Sequence, residues 1–206
     1  MKRFLLLLVV SAMLTAAPAL AQYVYLDTNP GADGVCNASD VLTSSVTSVD
    51  VWMDTNHNAD GTPVACPDGV NMLDIFGYEI ILHTTGSGSV TFGTFTNNMA
   101  GFSALPGSPT SGGGDYYVSY AGLSAFAPGL YKLGTLGVTI IGTPVLTPEP
   151  STTLNTIFNT SFGSNCVTPG GENIFRLGFD FMDKCGTSAL TPTRPTTWGA
   201  IKNLYR

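Results

Sequence analysis

Positive charge is what this chain has least of. No Lys or Arg occurs between Arg3 and Lys132, while the same interval carries Asp27, Asp33, Asp40, Asp50, Asp54, Asp60, Asp68, Asp74, Glu79 and Asp115. Eight basic residues stand against fourteen acidic ones, a net charge of −6. Nucleic-acid phosphates demand a basic face, so nucleic acid is excluded as a partner. Self-repulsion of this kind favours divalent cations instead. Histidine is scarce as well: His57 sits inside an acidic stretch and His83 at the end of an apolar run. No Gly-x-Ser-x-Gly elbow, His-Glu-x-x-His pair or phosphate-cradling glycine loop is present, which argues for a non-catalytic protein. Helix-period stretches are missing too, so crossover helices and a parallel sheet are not expected.

Long apolar runs occur only at the start. Met1-Lys2-Arg3, the apolar run Phe4 to Leu14 and the small residues of Ala19-Leu20-Ala21 have the pattern of a secretory signal peptide over 1–21, with the mature chain starting at Gln22. The run is too short for a membrane span, and no cysteine follows it to carry a lipid. Later, Leu133 to Val145 is apolar but broken by Gly134, Gly137, Gly142 and Pro144, so no span is expected in the mature chain. The expected location is secreted, extracellular or at the cell surface, with the periplasm as the alternative.

What the chain does have is one motif written twice. Val24-Tyr25-Leu26-Asp27-Thr28-Asn29 leads to Ala32-Asp33-Gly34, and Val51-Trp52-Met53-Asp54-Thr55-Asn56 leads to Ala59-Asp60-Gly61. In the second copy Asp54, Asn56, Asn58 and Asp60 fall at alternate positions, as oxygen ligands do in a loop that wraps Ca²⁺. The first copy keeps Asp27, Asn29 and Asp33 but has Gly31 where a ligand would stand. These seven residues are the candidate Ca²⁺ ligands, in acidic loops at 27–34 and 54–61. Ordinary turns use the same residue types, because Asp and Asn bond their own main chain; the repetition within an acidic region favours the metal.

Four cysteines in an exported chain suit two disulfides, and three pairings are possible. The expected one is Cys36–Cys66, clipping the acidic loops together, with Cys166–Cys185 at the end of the strand region.

Between these landmarks the chain reads as all-β, a single antiparallel sandwich domain over 22–190 with about 8–10 short strands. Val46 to Met53 alternates as a half-buried strand. Ile75 to His83 and Ser89 to Phe95, joined by Thr84-Thr85-Gly86-Ser87-Gly88, read as a hairpin. Asn97 to Asp115 reads as a long exposed loop, Tyr116 to Tyr120 as an aromatic strand. Leu130–Ile141, Ile157–Phe162 and Ile174–Phe181 read as further strands.

From Thr191 the chain becomes a Pro/Thr linker and a basic, amphipathic tail over 191–206. There Trp198, Ile201, Leu204 and Tyr205 would share one face of a short helix. That tail is a candidate for binding a partner or a second copy.

The strand pattern of Val46–Met53, Phe76-Gly77-Tyr78-Glu79-Ile80-Ile81-Leu82 and the segment beyond resembles cohesin-type domains of the carbohydrate-binding-module-like β-sandwich superfamily. The two Asp-x-Asn…Asp-Gly loops are similar to the calcium loops of dockerins. This resemblance implies a jelly-roll sandwich that binds a protein partner or a polysaccharide and catalyses nothing. The sequence therefore points to a secreted, calcium- and disulfide-stabilised binding module. A structural subunit of an extracellular fibre or surface layer is the alternative, and a secreted hydrolase using paired carboxylates the third reading.

Overall fold

The structure is a computed structural model that describes residues 22–28, 34, 40–57, 63, 66, 73–149, 151, 152, 154, 155, 157, 158, 160–166 and 177–181; for Gln22 and 177–181 it describes the backbone. Nine strands follow one another: β1 (Gln22–Asp27), β2 (Ser48–Asp54), β3 (Ile75–Asn97), β4 (Ser103–Ala104), β5 (Thr110–Gly112), β6 (Asp115–Phe126), β7 (Leu130–Glu149), β8 (Ser161–Ser164) and β9 (Leu177–Phe181). There is no helix among the described residues.

The class is all-β, but the two separately bonded sheets of a sandwich are not seen. All nine strands belong to one sheet, ordered β4-β6-β3-β7-β2-β1-β9-β8, with β5 beside β6 and β8 also pairing with β3. Pairing is antiparallel except between β1 and β9. One face of this sheet forms a single buried cluster, with Leu26 and Met53 from β1 and β2, Ile80 and Leu82 from β3, Leu133 and Leu136 from β7, and Phe162 from β8. Each such aliphatic side chain contributes about 1.5–3 kcal/mol when fully removed from water. The alternation expected for 46–53 is present: Val49, Val51 and Met53 are fully buried and point to this core.

The hairpin over 75–95 is not formed. Ile75–Asn97 is one strand of 23 residues, bonded along Ile81–Asn97 to Glu149–Gly134 of β7. Gly86 (φ +80°) and Gly88 do not reverse the chain. They lie opposite Gly142–Pro144, where Gly142 has φ +78°, and both strands run on through this point paired. Left-handed backbone is nearly free only for glycine, so glycines that look like a turn instead let two paired strands pass through positive φ without a break. The long loop over 97–115 contains β4 and β5, both laid against β6.

The disulfide is also a correction. Cys66 bonds Cys166, with Cα atoms 5.2 Å apart, which removes both Cys36–Cys66 and Cys166–Cys185. The reason is the β3–β8 pairing. Ile75 stands opposite Ser164, and Asn165 holds Asp74 through its side chain, with Asp74 N–H donating to Oδ1 (3.0 Å) and Nδ2 donating to Asp74 Oδ2 (3.2 Å). The chain entering β3 and the chain leaving β8 are thereby side by side, and the two cysteines follow. Cys36 and Cys185 lie outside the described residues, as does the 191–206 tail with Trp198, Ile201, Leu204 and Tyr205.

Candidate functional site

Of the seven expected cation ligands, Asp27, Asp54 and Asn56 are described, and Asn29, Asp33, Asn58 and Asp60 lie outside the described residues. Asp54 ends β2. Its Oδ1 accepts from the backbone N–H of Asn56 (2.7 Å) and His57 (3.1 Å), while Oδ2 takes the Tyr23 hydroxyl (3.3 Å) and lies 3.2 Å from His57 Nδ1. That is the self-bonded turn Asp favours, and the carboxylate keeps acceptor sites beyond those used. Burial first, then the Asp54 charge, raises the Tyr23 pKa. Asn56 is exposed. Asp27 ends β1, buried, and its Oδ2 accepts from Gly34 N–H at 3.2 Å.

The two acidic loops do not share an ion through these two residues. Asp27 is paired with Asp50 and Asp54 with Tyr23, so the carboxylates stand four residues apart along an antiparallel ladder. At about 3.4 Å per residue that is about 14 Å, whereas Ca²⁺ holds its oxygens at about 2.3–2.6 Å. Among the described residues no three His, Cys, Asp or Glu side chains gather as a metal group.

The sequence missed two polar clusters. On the outer face of β1, β2 and β7, Asp27 stands opposite Asp50 and Asp50 opposite Thr135. Both carboxylates are buried; Lys132 Nζ lies 2.6 Å from Asp50 Oδ2, and the Thr135 hydroxyl donates to Oδ1 at 2.7 Å. Beside them Tyr23, Tyr25 and Trp52 stack in a row, with Gly34 against the Trp52 ring and the Tyr25 hydroxyl donating to Gly34 O. Elsewhere, buried Asp115 accepts a close hydrogen bond from the Thr152 hydroxyl and is paired with His83 Nδ1. The register His83↔Asp115 creates that cluster, and pairing between residues 32 apart leaves no local signal.

Among the described residues a cleft of about 230 Å³ lies over β6, β3 and β8. In-register rows place Ala121, Gly77 and Gly163 side by side, with Ser119, Glu79 and Ser161 in the next row. Gly77 admits no side chain: a Cβ there would lie 2.8 Å from Tyr120 O and 2.9 Å from Ala121 Cβ. Phe76, Leu105 and Tyr120 add apolar wall. Glu79 and Ser161 supply the polar groups of the lining, the Ser161 hydroxyl donating to Glu79 Oε2 at 3.3 Å. No protein-family model, curated protein or solved structure matches the chain.

Proposed function

We propose that this chain is an exported, non-catalytic binding module whose cleft over β6, β3 and β8 takes one sugar unit of a polysaccharide. The fold that presents it is held by disulfide bonding and by Ca²⁺ in the acidic loops. The cleft is the observation that carries this reading. A sugar ring offers an apolar C–H face and a rim of hydroxyls. Phe76, Leu105 and the glycine floor suit the first, and the Glu79 carboxylate, a strong acceptor, suits the second. At about 230 Å³ the space lies below that of sites that bury a whole small molecule. It therefore fits one ring of a chain that continues across the surface. The Cys66–Cys166 bond favours an oxidising compartment, in keeping with the leader-like start of the sequence. No helix of the described residues is long and apolar enough to cross a membrane.

A glycan array probed with the mature chain and with Glu79→Gln tests the proposal. Binding by the parent and its loss in the variant is the expected result. A parent that binds no glycan ends the polysaccharide reading; if it instead captures an envelope protein through Glu79, the cleft is a protein site.

A further inference from the structure

We infer that the free edge of β3 over Ser89–Thr94 is a docking surface for a second copy of this chain, joined edge to edge in antiparallel fashion. β6 flanks β3 only as far as His83↔Asp115, with Thr84 N–H donating to Gly114 O. Beyond that point β7 alone pairs with β3, so among the described residues the opposite edge of Ser89–Thr94 has no neighbour. Such an edge is a row of unpaired N–H and C=O groups, a template for another strand.

Proteins usually blunt an edge with Lys, Pro or inward charge. The outward part of β7 carries Pro144 and Pro148 in this way; Ser89-Val90-Thr91-Phe92-Gly93-Thr94 carries no Lys, Pro or charge, and the register shift against β7 between Phe92 and Phe95 leaves Ser89–Phe92 regular. Nor is there any Asp, Glu, Lys or Arg from Ile80 to Gly114. Two copies of a chain with net charge −6 repel one another, and this tract is where their approach meets least opposing charge. Charges elsewhere on the surface act through salt that screens them within about 8 Å.

The segment is also self-complementary. Antiparallel pairing about Thr91 sets Ser89 against Gly93 and Val90 of each copy against Phe92 of the other. That makes two β-branched–aromatic cross-strand pairs, a favourable combination. Val90 and Phe92 are half-buried against the core, while Ser89, Thr91, Gly93 and Thr94 are exposed. The contact uses the same patch on both chains, so it closes as a two-fold dimer and does not propagate. It is independent of the cleft and of what the cleft binds.

Sedimentation and light scattering of the mature chain, with Thr91→Lys and Ser89→Lys, test this. The expected result is a dimer whose mass halves in either lysine variant, with a melting midpoint equal to that of the parent once the parent is diluted to monomer, because both side chains are exposed and only the dimer's contribution is lost. Amide exchange over 89–94 is expected to rise as the parent is diluted. A parent that stays monomeric at its highest soluble concentration overturns the inference. So does a dimer indifferent to both lysines, or one abolished by deleting 198–206.

Discussion

Asp27 and Asp50 face each other across the β1–β2 ladder, both buried, and the ammonium of Lys132 lies 2.6 Å from Asp50. Like charges directly opposite on a sheet are unfavourable, so the lysine decides whether the pair is tolerable. Lys132 is the first basic residue after Arg3. Lys132→Met is therefore expected to cost stability on the scale of breaking a buried ion pair, about 3–5 kcal/mol, towards the lower end because the ammonium keeps some contact with water. Adding Asp50→Asn to that variant should restore most of the loss, since the uncompensated charge disappears. Urea denaturation of the three chains measures this. Additive effects of the two changes would mean that the carboxylate and the lysine are not partners in solution.

The Cys66–Cys166 bond closes a sequence separation of 100 residues. In the chain-entropy account a loop of that size is worth about 4.7 kcal/mol. Replacing both cysteines by serine should lower the unfolding free energy by an amount of that order. Peptide mapping of the unreduced chain should recover a fragment joining the segment around Cys66 to that around Cys166. A Cys36–Cys66 fragment would instead restore the arrangement in which the acidic loops are clipped together.

What is legible in the sequence is whatever is local. The two-residue alternation that buries Val49, Val51 and Met53 can be seen in any window of the sequence. So can the turn chemistry of Asp54, whose Oδ1 collects the N–H groups of Asn56 and His57. Where the structure differs from the local pattern, the cause is a partner far away in the chain. Gly86 and Gly88 resemble a hairpin turn until β7 arrives with Pro144 and Gly142 opposite them. Cys166 resembles a partner for the nearby Cys185 until β8 returns to β3 and brings it to Cys66. Asp50 reads as the wet side of a strand; only the register with Thr135 and the neighbouring Lys132 explains its burial. The cleft has the same origin, because Ala121, Gly77 and Gly163 become neighbours only through two long-range pairings.

The acidic loops separate into a turn contribution and a metal contribution. Asp54→Ala removes the acceptor for two backbone N–H groups and the Tyr23 hydroxyl. A loss of about 1–3 kcal/mol is expected whether or not a metal is present. If the second loop holds Ca²⁺, a chelator should lower the melting midpoint of the parent chain and leave that of the variant nearly unchanged, because a bound ion stabilises only the state that binds it. Differential scanning calorimetry with added Ca²⁺ and with chelator reads both terms. A parent midpoint that ignores the chelator removes calcium from the account, and the loop is then a turn.

Tyr116 and Tyr78 share the core but differ in how their hydroxyls are held. Tyr78 donates to Asn97 Oδ1 (2.9 Å), with Leu133 O as a second acceptor at 3.3 Å; the Tyr116 hydroxyl is buried with no hydrogen-bond partner among the described residues. Burial, then the nearby Tyr120, pushes the Tyr116 pKa up to about 12, and burial raises that of Tyr78 further still. A tyrosine whose pKa is raised on folding keeps a proton that the unfolded chain releases. Its contribution is intact below the unfolded value of about 10 and is lost as pH rises through the folded value, by about 1.4 kcal/mol per unit. Stability should accordingly fall between pH 10 and about 12, and Tyr116→Phe should make that fall shallower. At neutral pH the same variant is expected to match or exceed the parent, because a buried hydroxyl without a partner carries a desolvation cost of about 1–3 kcal/mol. Tyr78→Phe is expected to lose about 1 kcal/mol or more, since it strips a donor from Asn97. Urea denaturation at pH 7 and pH 11 separates the pair. A Tyr116→Phe chain clearly weaker than the parent at pH 7 would show that its hydroxyl is bonded in solution.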